Sequence, residues 1–278
     1  MNKFYAKYLK RFFDFILSLL GIIILLPLFL ILMFITWCCN GNGIFFKQSR
    51  PGKNGKLFTL VKFRSMNNKK DENGNLLPDK DRVTAWGRFL RKTSLDELPQ
   101  LFNILKGDMA IVGPRPRLVK DMVFYPEEYF DNYTIRPGLT GKTQVNGHNH
   151  NTWEKVFEMD KDYKNHITFW GDVKLIFQTF TTIFFKKNQG SVDGSAQNHQ
   201  AYYYADYLLQ SEQITKEVYD LGLTIADDII KKHEIVTFQK QLVRVAKEND
   251  NLNITQGIEN LNLHNNDKVA SSDMPSAV

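Results

Sequence analysis

Two adjacent carboxylates, Asp96 and Glu97, stand in the segment Ser94-Leu95-Asp96-Glu97-Leu98-Pro99. A carboxylate can attack phosphorus to form an acyl phosphate, which divides a difficult group transfer into two easier steps. A carboxylate is also a hard oxygen ligand for Mg²⁺, an ion that neutralises a diphosphate and orients it. Adjacent side chains on a helix diverge by about 100°, so the two acids suit two different tasks better than the sharing of one proton.

The same segment also has a purely structural interpretation. Ser94 would cap a helix, Glu97 would complete a capping box, and acids in a first turn suit the helix dipole. Pro99 would then lie past the first turn, where proline costs a hydrogen bond. A helix start nearer Leu98 suits the proline better and frees Glu97 from capping.

Phosphate chemistry at these acids needs cations nearby, and arginine is the residue that pairs best with phosphate oxygens. Basic residues precede the acids, and others alternate with prolines that hold the backbone extended further on. These residues are Arg88, Arg91, Lys92, Pro114, Arg115, Pro116 and Arg117. Taken one at a time, the arginines suit a solvated surface or contact with lipid headgroups equally well.

The charge is divided unevenly along the 278 residues. Residues 1–189 hold 29 Lys and Arg against 17 Asp and Glu, a balance of +12, whereas residues 190–278 hold 7 against 13, a balance of −6. A basic excess favours phosphate-bearing partners such as nucleotides, nucleic acid or anionic lipids without choosing among them. The two cysteines, Cys38 and Cys39, are adjacent, so there is no disulfide framework and a reducing cytosol is expected.

An uncharged segment from Phe15 to Cys39 predicts entry into a membrane. As a helix it would reach roughly 37 Å, enough to cross a hydrocarbon layer. The run is longer than a signal-peptide core, and no small-x-small cleavage pattern follows it. Pro27 lies near its middle, where proline breaks or kinks a helix.

Basic residues flank this segment on both sides and pull both ends toward the cytoplasm. They are Lys3, Lys7, Lys10 and Arg11 before it, and Lys47, Arg50, Lys53 and Lys56 after it. A re-entrant hairpin that turns at Pro27 would satisfy both flanks. An ordinary single span with a tolerated proline also stays open on these grounds.

The rest of the chain predicts an α+β domain. Residues 45–48 and 57–63 are typical of strands joined by the turn at 51–55. Helices are predicted from Thr84 to Lys92, from about Leu98 to a glycine exit at Gly107, and along the apolar stripe of residues 173–184. The last of these suits the membrane interface.

Two familiar kinds of site can be set aside. Gly141-Lys142-Thr143 mimics the end of a phosphate-binding loop, but Arg136 stands where that motif needs glycine. His148 and His150 have no third metal ligand nearby, so a solvated loop is preferred to a metal site.

Seven segments in order resemble the bacterial sugar transferase family, the monotopic phosphoglycosyl transferases. They are Lys10-Arg11-Phe12-Phe13-Asp14, Arg50-Pro51-Gly52, Lys62-Phe63-Arg64-Ser65-Met66, Ser94-Leu95-Asp96-Glu97-Leu98-Pro99-Gln100-Leu101, Leu105-Lys106-Gly107-Asp108-Met109, Val112-Gly113-Pro114-Arg115-Pro116 and Pro137-Gly138-Leu139-Thr140-Gly141. The resemblance runs over about residues 5 to 190, and the tail beyond is not covered.

The resemblance implies transfer of a sugar 1-phosphate from a UDP-sugar to a polyprenol phosphate, usually undecaprenyl phosphate, at the cytoplasmic face of a bacterial cell membrane. Such a step starts a capsule, an exopolysaccharide, an O-antigen or a glycoprotein glycan. By this resemblance Asp96 is the nucleophile that attacks the β-phosphate and releases UMP, and Glu97 is its Mg²⁺-associated partner. It also implies anchoring by a re-entrant helix broken at Pro27.

The same resemblance supplies candidates for substrate binding. They are Lys62, Arg64, Arg88, Pro114, Arg115 and Pro116. Arg88 and Arg115 match basic positions near the diphosphate, and Pro114-Arg115-Pro116 matches the nucleotide-facing motif. Two residues depart from the family pattern: Leu26 replaces a serine that could satisfy a carbonyl at the kink, and His148 replaces a common arginine.

The expected organisation has four parts: a membrane-embedded re-entrant helical segment at 1–43, a catalytic phosphoglycosyl transferase domain at 44–190, an appended helical segment at 191–250 and a disordered tail at 251–278. Membrane lipids are expected partners and nucleic acid is not, because no recognised binding motif is present. The sequence leaves open the sugar, homo-oligomer formation, and whether the tail contacts a downstream glycosyltransferase or folds back on the basic body.

Two rival functions also stay open. A metal-dependent glycosyltransferase at the membrane would move only the sugar and release UDP rather than UMP. A non-catalytic membrane-tethered adaptor would be indifferent to replacement of Asp96.

Overall fold

The computed structural model describes residues 4–40, 43–147, 151–185, 203–236 and 242. In these ranges the chain is a mixed α+β fold in which a long N-terminal helix packs on short helices and two small sheets. The helices are α1 (Lys10–Asn40), α2 (Asp79–Arg82), α3 (Ala85–Lys92), α4 (Gln100–Lys106), α5 (Val119–Met122), α6 (Glu127–Phe130), α7 (Lys142–Val145), α8 (Trp153–Asn165), α9 (Phe169–Phe185), α10 (Tyr204–Gln210) and α11 (Lys216–Lys232). The strands are β1 (Phe45–Pro51), β2 (Leu57–Phe63), β3 (Ala110–Val112) and β4 (Gly138–Thr140). The predicted α+β class is confirmed.

Helix α1 buries four polar side chains and two apolar ones, and leaves most of its apolar surface exposed. Its buried side chains lie on one stripe along its length: Asp14, Ser18, Phe29, Leu32, Thr36 and Asn40. Its other faces are apolar and exposed, as at Ile24 (73% exposed) and Phe34 (64%). This is the reverse of a helix in water. With the π-helical turn before it, the segment Tyr5–Asn40 is long and apolar enough to cross a membrane.

Pro27 lies inside α1, and the helix is assigned as one element of 31 residues through that proline. The expected break into two separate helices is therefore not seen, and a re-entrant path through a membrane stays a prediction. Both ends of α1 nevertheless contact the same body. Near its start Arg11 donates to the carbonyl of Leu105 at 2.8 Å, and at its end Asn40 donates to the carbonyl of Arg64 at 2.5 Å.

The predicted hairpin is confirmed. β1 and β2 pair antiparallel, from Phe45 opposite Phe63 to Pro51 opposite Leu57. Gly55 in its turn has a φ of 74°, and a Cβ there would lie 2.1 Å from the carbonyl oxygen of Val236. Glycine is needed at this turn because a C-terminal segment packs directly on it.

The structure around Asp96 favours the later of the two helix starts. α4 begins at Gln100 and ends at Gly107, whose φ of 100° gives the predicted glycine exit. Ser94 has a left-handed backbone with a φ of 56° and makes no capping hydrogen bond through its side chain, so the capping-box interpretation is wrong. Leu95–Glu97 form a separate 3-10 turn between α3 and α4.

Helices α10 and α11 fold back onto the body. Leu208 and Ile229 join Phe124 and Phe157 in the largest hydrophobic cluster. A Cβ at Gly222 of α11 would lie 2.1 Å from the ring of Phe124, so the helix backbone packs directly on that ring. The boundary expected at Gly190 lies outside the described residues, as do the tail at 251–278 and the loop residues His148 and His150.

Helix α9 confirms the helix predicted over the apolar stripe. Its first turn is fastened through Asp172, whose carboxylate accepts hydrogen bonds from the hydroxyls of Tyr5 and Tyr163, both at 2.8 Å. Phe177 and Phe180 further along are 68% and 57% exposed. Placement of this face at a membrane interface stays a prediction.

Candidate active site

Glu97 is held by cations from two separate elements. Lys62 Nζ on β2 donates to Glu97 Oε1 at 2.5 Å, and Arg115 Nη2 lies 3.5 Å from the same oxygen. All three side chains are about one-fifth exposed (20% for Lys62 and Glu97, 22% for Arg115), so solvent screens these ion pairs only in part. The structure therefore brings Lys62, Glu97 and Arg115 together, as the sequence predicts.

Asp96 lies next to this group and is 8% exposed. Burial raises the pKa of Asp96 to about 6; the charge of Glu97 adds to the rise, whereas Lys62, Arg91 and Arg115 oppose it. At neutral pH the carboxylate is mainly ionised. It can then act as a nucleophile, because its buried surroundings stabilise the carboxylate anion less than bulk water would.

Backbone pairing fixes the loop that carries Arg115. β3 pairs in parallel with β4. Beyond the strands, Gly113 N–H donates to the carbonyl of Thr140 at 2.9 Å, and Gly138 N–H donates to the carbonyl of Pro114 at 2.8 Å. Pro114 is buried in this ladder, and a role for it in substrate binding stays a prediction.

A cleft of about 110 Å³ opens beside Glu97. Lys62, Arg115 and Pro116 of the predicted set line it, together with Arg50 and Arg117. Arg50 Nη1 also donates to the carbonyl of Pro116 at 3.2 Å. Three arginines and a lysine around one cleft suit the oxygens of a diphosphate, because guanidinium groups bind phosphate in a fixed fork geometry.

Two predicted residues lie elsewhere. Arg64 contacts Asn68 at 3.5 Å and the carbonyl of Phe45 at 3.4 Å. Arg88 is exposed on α3, where it donates to the carbonyl of Val83 at 3.2 Å. Neither lines the cleft, and a role for either in substrate binding stays a prediction.

Other residues take the places that the sequence left unassigned. Arg91 is the arginine of α3 whose charge acts on Asp96, and its Nε donates to Ser65 Oγ at 2.9 Å. Arg50 and Arg117 line the cleft. Arg50 stands in a segment that carries the family resemblance, and Arg117 extends the alternation of arginine and proline, so a signal for both was present.

The carboxylates of the site bear on whether it could hold Mg²⁺. Among the residues that the structure describes, no three His, Cys, Asp or Glu side chains converge as a metal-binding group. A Mg²⁺ bound through substrate phosphates needs only one or two protein carboxylates, and the Asp96-Glu97 pair meets that need. Glu97, at the cleft wall, is the candidate ligand.

The chain is similar to proteins of one known family. The model of the bacterial sugar transferase family matches residues 5–186, well over half of the chain. This protein belongs to the bacterial sugar transferase family. The matched range contains Asp96, Glu97 and every predicted substrate-binding residue, and it ends before α10. The resemblance seen in the sequence is confirmed, and with it the prediction of a transferase.

Three relatives differ in how much of their own length the similarity to this chain covers. The uncharacterized sugar transferase EpsL of Bacillus subtilis is 46% identical over 62% of this chain and 85% of its own length. The Exopolysaccharide production protein ExoY of Sinorhizobium fredii is 35% identical over 63% of this chain and 84% of its own length. The UDP-glucose:undecaprenyl-phosphate glucose-1-phosphate transferase of Klebsiella pneumoniae is 37% identical over 64% of this chain but only 41% of its own length.

Proposed function

We propose that this protein transfers a sugar 1-phosphate from a UDP-sugar to polyprenol phosphate, with Asp96 as a covalent relay and UMP as the first product. The observation that carries the proposal is the arrangement at the cleft: a buried Asp96 stands beside Glu97, which is clamped by Lys62 and Arg115. The Klebsiella relative, by its name, uses UDP-glucose and undecaprenyl phosphate.

The reaction divides into two displacements at one phosphorus. In the first, an Asp96 oxygen attacks the β-phosphorus, the bond to the bridging oxygen breaks, and UMP leaves with that oxygen. Sugar 1-phosphate then stays on Asp96 as an acyl phosphate. In the second, a phosphate oxygen of the polyprenol phosphate attacks the same phosphorus, and the Asp96 carboxylate is released. The product is a polyprenyl diphosphate sugar.

The basic residues of the cleft would balance the negative charge of the donor's diphosphate. Arg50, Arg115 and Arg117 supply guanidinium groups for the phosphate oxygens, and Lys62 holds Glu97 in place. Mg²⁺ held by Glu97 would neutralise the diphosphate when bound. Burial of Asp96 excludes water from the carboxylate that must carry the acyl phosphate, which protects that intermediate from hydrolysis.

We further propose that α1 enters the membrane from the cytoplasmic side and returns to it. Support comes from Arg11 and Asn40, which bind the same body from the two ends of an apolar helix. A single span would place these ends on opposite faces of the bilayer, and the basic flanks of both ends favour the cytoplasm. The donor then reaches the cleft from the cytosol while the lipid phosphate arrives in the membrane plane, a gain in proximity for the second step.

Exchange of labelled UMP into UDP-sugar without lipid acceptor tests the covalent relay. A panel containing UDP-glucose and UDP-galactose serves as donor, and Asp96→Asn serves as the matched control. We expect exchange with wild type only, together with an adduct of one sugar phosphate on Asp96 by mass spectrometry. Transfer without exchange would contradict the two-step mechanism, and release of UDP would point to a glycosyltransferase.

Cysteine labelling tests the membrane path. In a Cys38→Ser, Cys39→Ser background, single cysteines at Lys7 and at Asn54 stand before and after α1. A re-entrant helix makes both accessible to an impermeant reagent only after the cytoplasmic side is opened. Labelling from opposite sides would establish a single span instead.

One relative is named as an Exopolysaccharide production protein. Exopolysaccharide synthesis is therefore the first pathway in which to look for the lipid-linked product.

A further inference from the structure

One wall of the cleft comes from outside the part of the chain that matches the family. Tyr203 lines the cleft together with Glu97 and the arginines. The family match ends at residue 186, so this tyrosine belongs to the appended segment. It stands immediately before the first residue of α10, with an extended backbone.

Several contacts hold Tyr203 and the start of α10 in place. Lys120 Nζ lies 4.3 Å from the centre of the Tyr203 ring and 3.3 Å from the carboxylate of Asp206. The Asp121 carboxylate accepts the backbone N–H of Ala205 at 3.2 Å. Lys120 and Asp121 belong to α5, which follows directly on the loop of Arg115 and Arg117. The appended segment is therefore fastened to the element that continues the arginine loop.

The residues that line the cleft offer the kinds of group that a UDP-sugar would contact. Arg115 contacts Glu97 at the catalytic acids, and five residues further along, Lys120 contacts Tyr203. Arg50 and Arg117 also line the cleft. In a UDP-sugar attacked at its β-phosphorus, the α-phosphate, ribose and uracil follow in that order away from the attacked atom. Tyr203 lines the same cleft as these cations, so its aromatic side chain is the candidate to meet the flat base.

We propose that Tyr203 stacks on the uracil of the donor, so that the appended helices complete the nucleotide site. This inference rests on the proposed function, since it places the diphosphate at the arginines. Stacking of a base on an aromatic side chain needs only the flat faces of the two rings, so it survives replacement of tyrosine by phenylalanine. Tyr203 is then a determinant of donor affinity and not a catalytic residue.

Binding of UMP and turnover of UDP-sugar test the proposal with the full-length membrane protein. Tyr203→Ala is expected to weaken UMP binding and raise the KM for the UDP-sugar by about ten-fold or more, with kcat little changed. Tyr203→Phe is expected to keep wild-type values. Ribose 5-phosphate, which lacks the base, is expected to bind wild type and Tyr203→Ala with equal affinity.

Tyr207→Ala is the matched control, because Tyr207 lies within α10, four residues after Tyr203, and does not line the cleft. Unchanged UMP affinity in Tyr203→Ala would overturn the proposal. So would an equal loss of UMP affinity in Tyr207→Ala, or a parallel loss of ribose 5-phosphate binding, since either would mean that the helix was merely destabilised. Absence of turnover with every UDP-sugar would refute the proposed function, whereas selective loss of UMP binding in Tyr203→Ala would still support the stacking contact.

Discussion

Asp96 and Asp160 are both buried aspartates near arginine, yet their surroundings differ. Asp96 stands on a short turn beside the cleft, where Lys62, Arg91 and Arg115 oppose the cost of its ionisation. Asp160 is 2% exposed within α8, and its Oδ2 has no hydrogen-bond partner among the described residues. Burial raises the pKa of Asp160 to about 7, and the charge of Arg117 opposes that rise.

The comparison separates burial from function. Both sites pay for desolvation of a carboxylate, and burial alone therefore does not identify a nucleophile. What distinguishes Asp96 is a surplus of cations from three different elements and a neighbour at the wall of the cleft. Four substitutions test this distinction, in decreasing order of their expected effect on catalysis.

Asp96→Asn is expected to lower sugar phosphate transfer by at least about a thousand-fold, because the amide cannot form the acyl phosphate. Its melting temperature is expected to equal or exceed that of wild type, since a buried charge is removed. Labelled-donor transfer into polyprenol phosphate and thermal unfolding in the same detergent measure the two quantities. Retention of wild-type transfer would favour the adaptor hypothesis.

Lys62→Met is expected to lower kcat/KM by about ten- to a hundred-fold. It removes a cation that contacts Glu97 directly. Of the charges that lower the pKa of Asp96, it also removes the one with the largest effect. Lys62→Arg is the control and should recover part of the rate, because it restores the charge with a different reach. Equal rates for Lys62→Met and wild type would show that the ion pair with Glu97 is dispensable.

Much of this site could be predicted from sequence, and the reasons are local. Pro99 excludes an early helix start, and glycine with asparagine at the turn indicates the hairpin, since both act on the backbone of their own segment. The choice between Arg88 and Arg91 could not be predicted. Both are on α3, and only the packing of that helix beside the turn Leu95–Glu97 decides which of them acts on Asp96.

Tyr203 was beyond prediction for a related reason. Its place at the cleft depends on contacts across some eighty residues of chain, between Lys120 and Asp206 and between Asp121 and Ala205. The sequence did predict an appended helical segment at 191–250. It could not show that this segment packs on Phe124 rather than extends away as a separate unit.

Arg91→Ala is expected to lower kcat/KM by about ten-fold, and Arg88→Ala, one turn away on the same helix, by about two-fold or less. Arg91 acts on Asp96, whereas Arg88 is exposed and contacts the carbonyl of Val83. Steady-state kinetics of the two variants, with melting temperatures as a check on folding, decide between them. A larger loss for Arg88→Ala would support the assignment of Arg88 implied by the family resemblance.

Asp160→Asn is expected to leave kcat within about two-fold of wild type and to change the pH dependence of stability instead. Because the folded-state pKa of about 7 exceeds the ordinary value of 3.8, the folded protein holds this proton more tightly. Its contribution to stability is then lost as the pH rises through 7. The free energy of unfolding of the variant should exceed that of wild type by on the order of 1–4 kcal/mol at pH 8, and by less at pH 5. If the stabilities of the variant and wild type differed by the same amount at every pH, this prediction would be contradicted.

The contacts of α1 at both ends have a practical consequence for anyone who wishes to handle this enzyme without detergent. Removal of residues 1–43 would uncover Phe63 and Leu90, which are 1% and 0% exposed, and Phe63 lies next to Lys62 on the same strand. Helix α1 therefore also covers the buried face of the β1–β2 hairpin. A water-soluble form has to be sought by replacing outward residues such as Ile24 and Phe34 with polar ones, rather than by truncation.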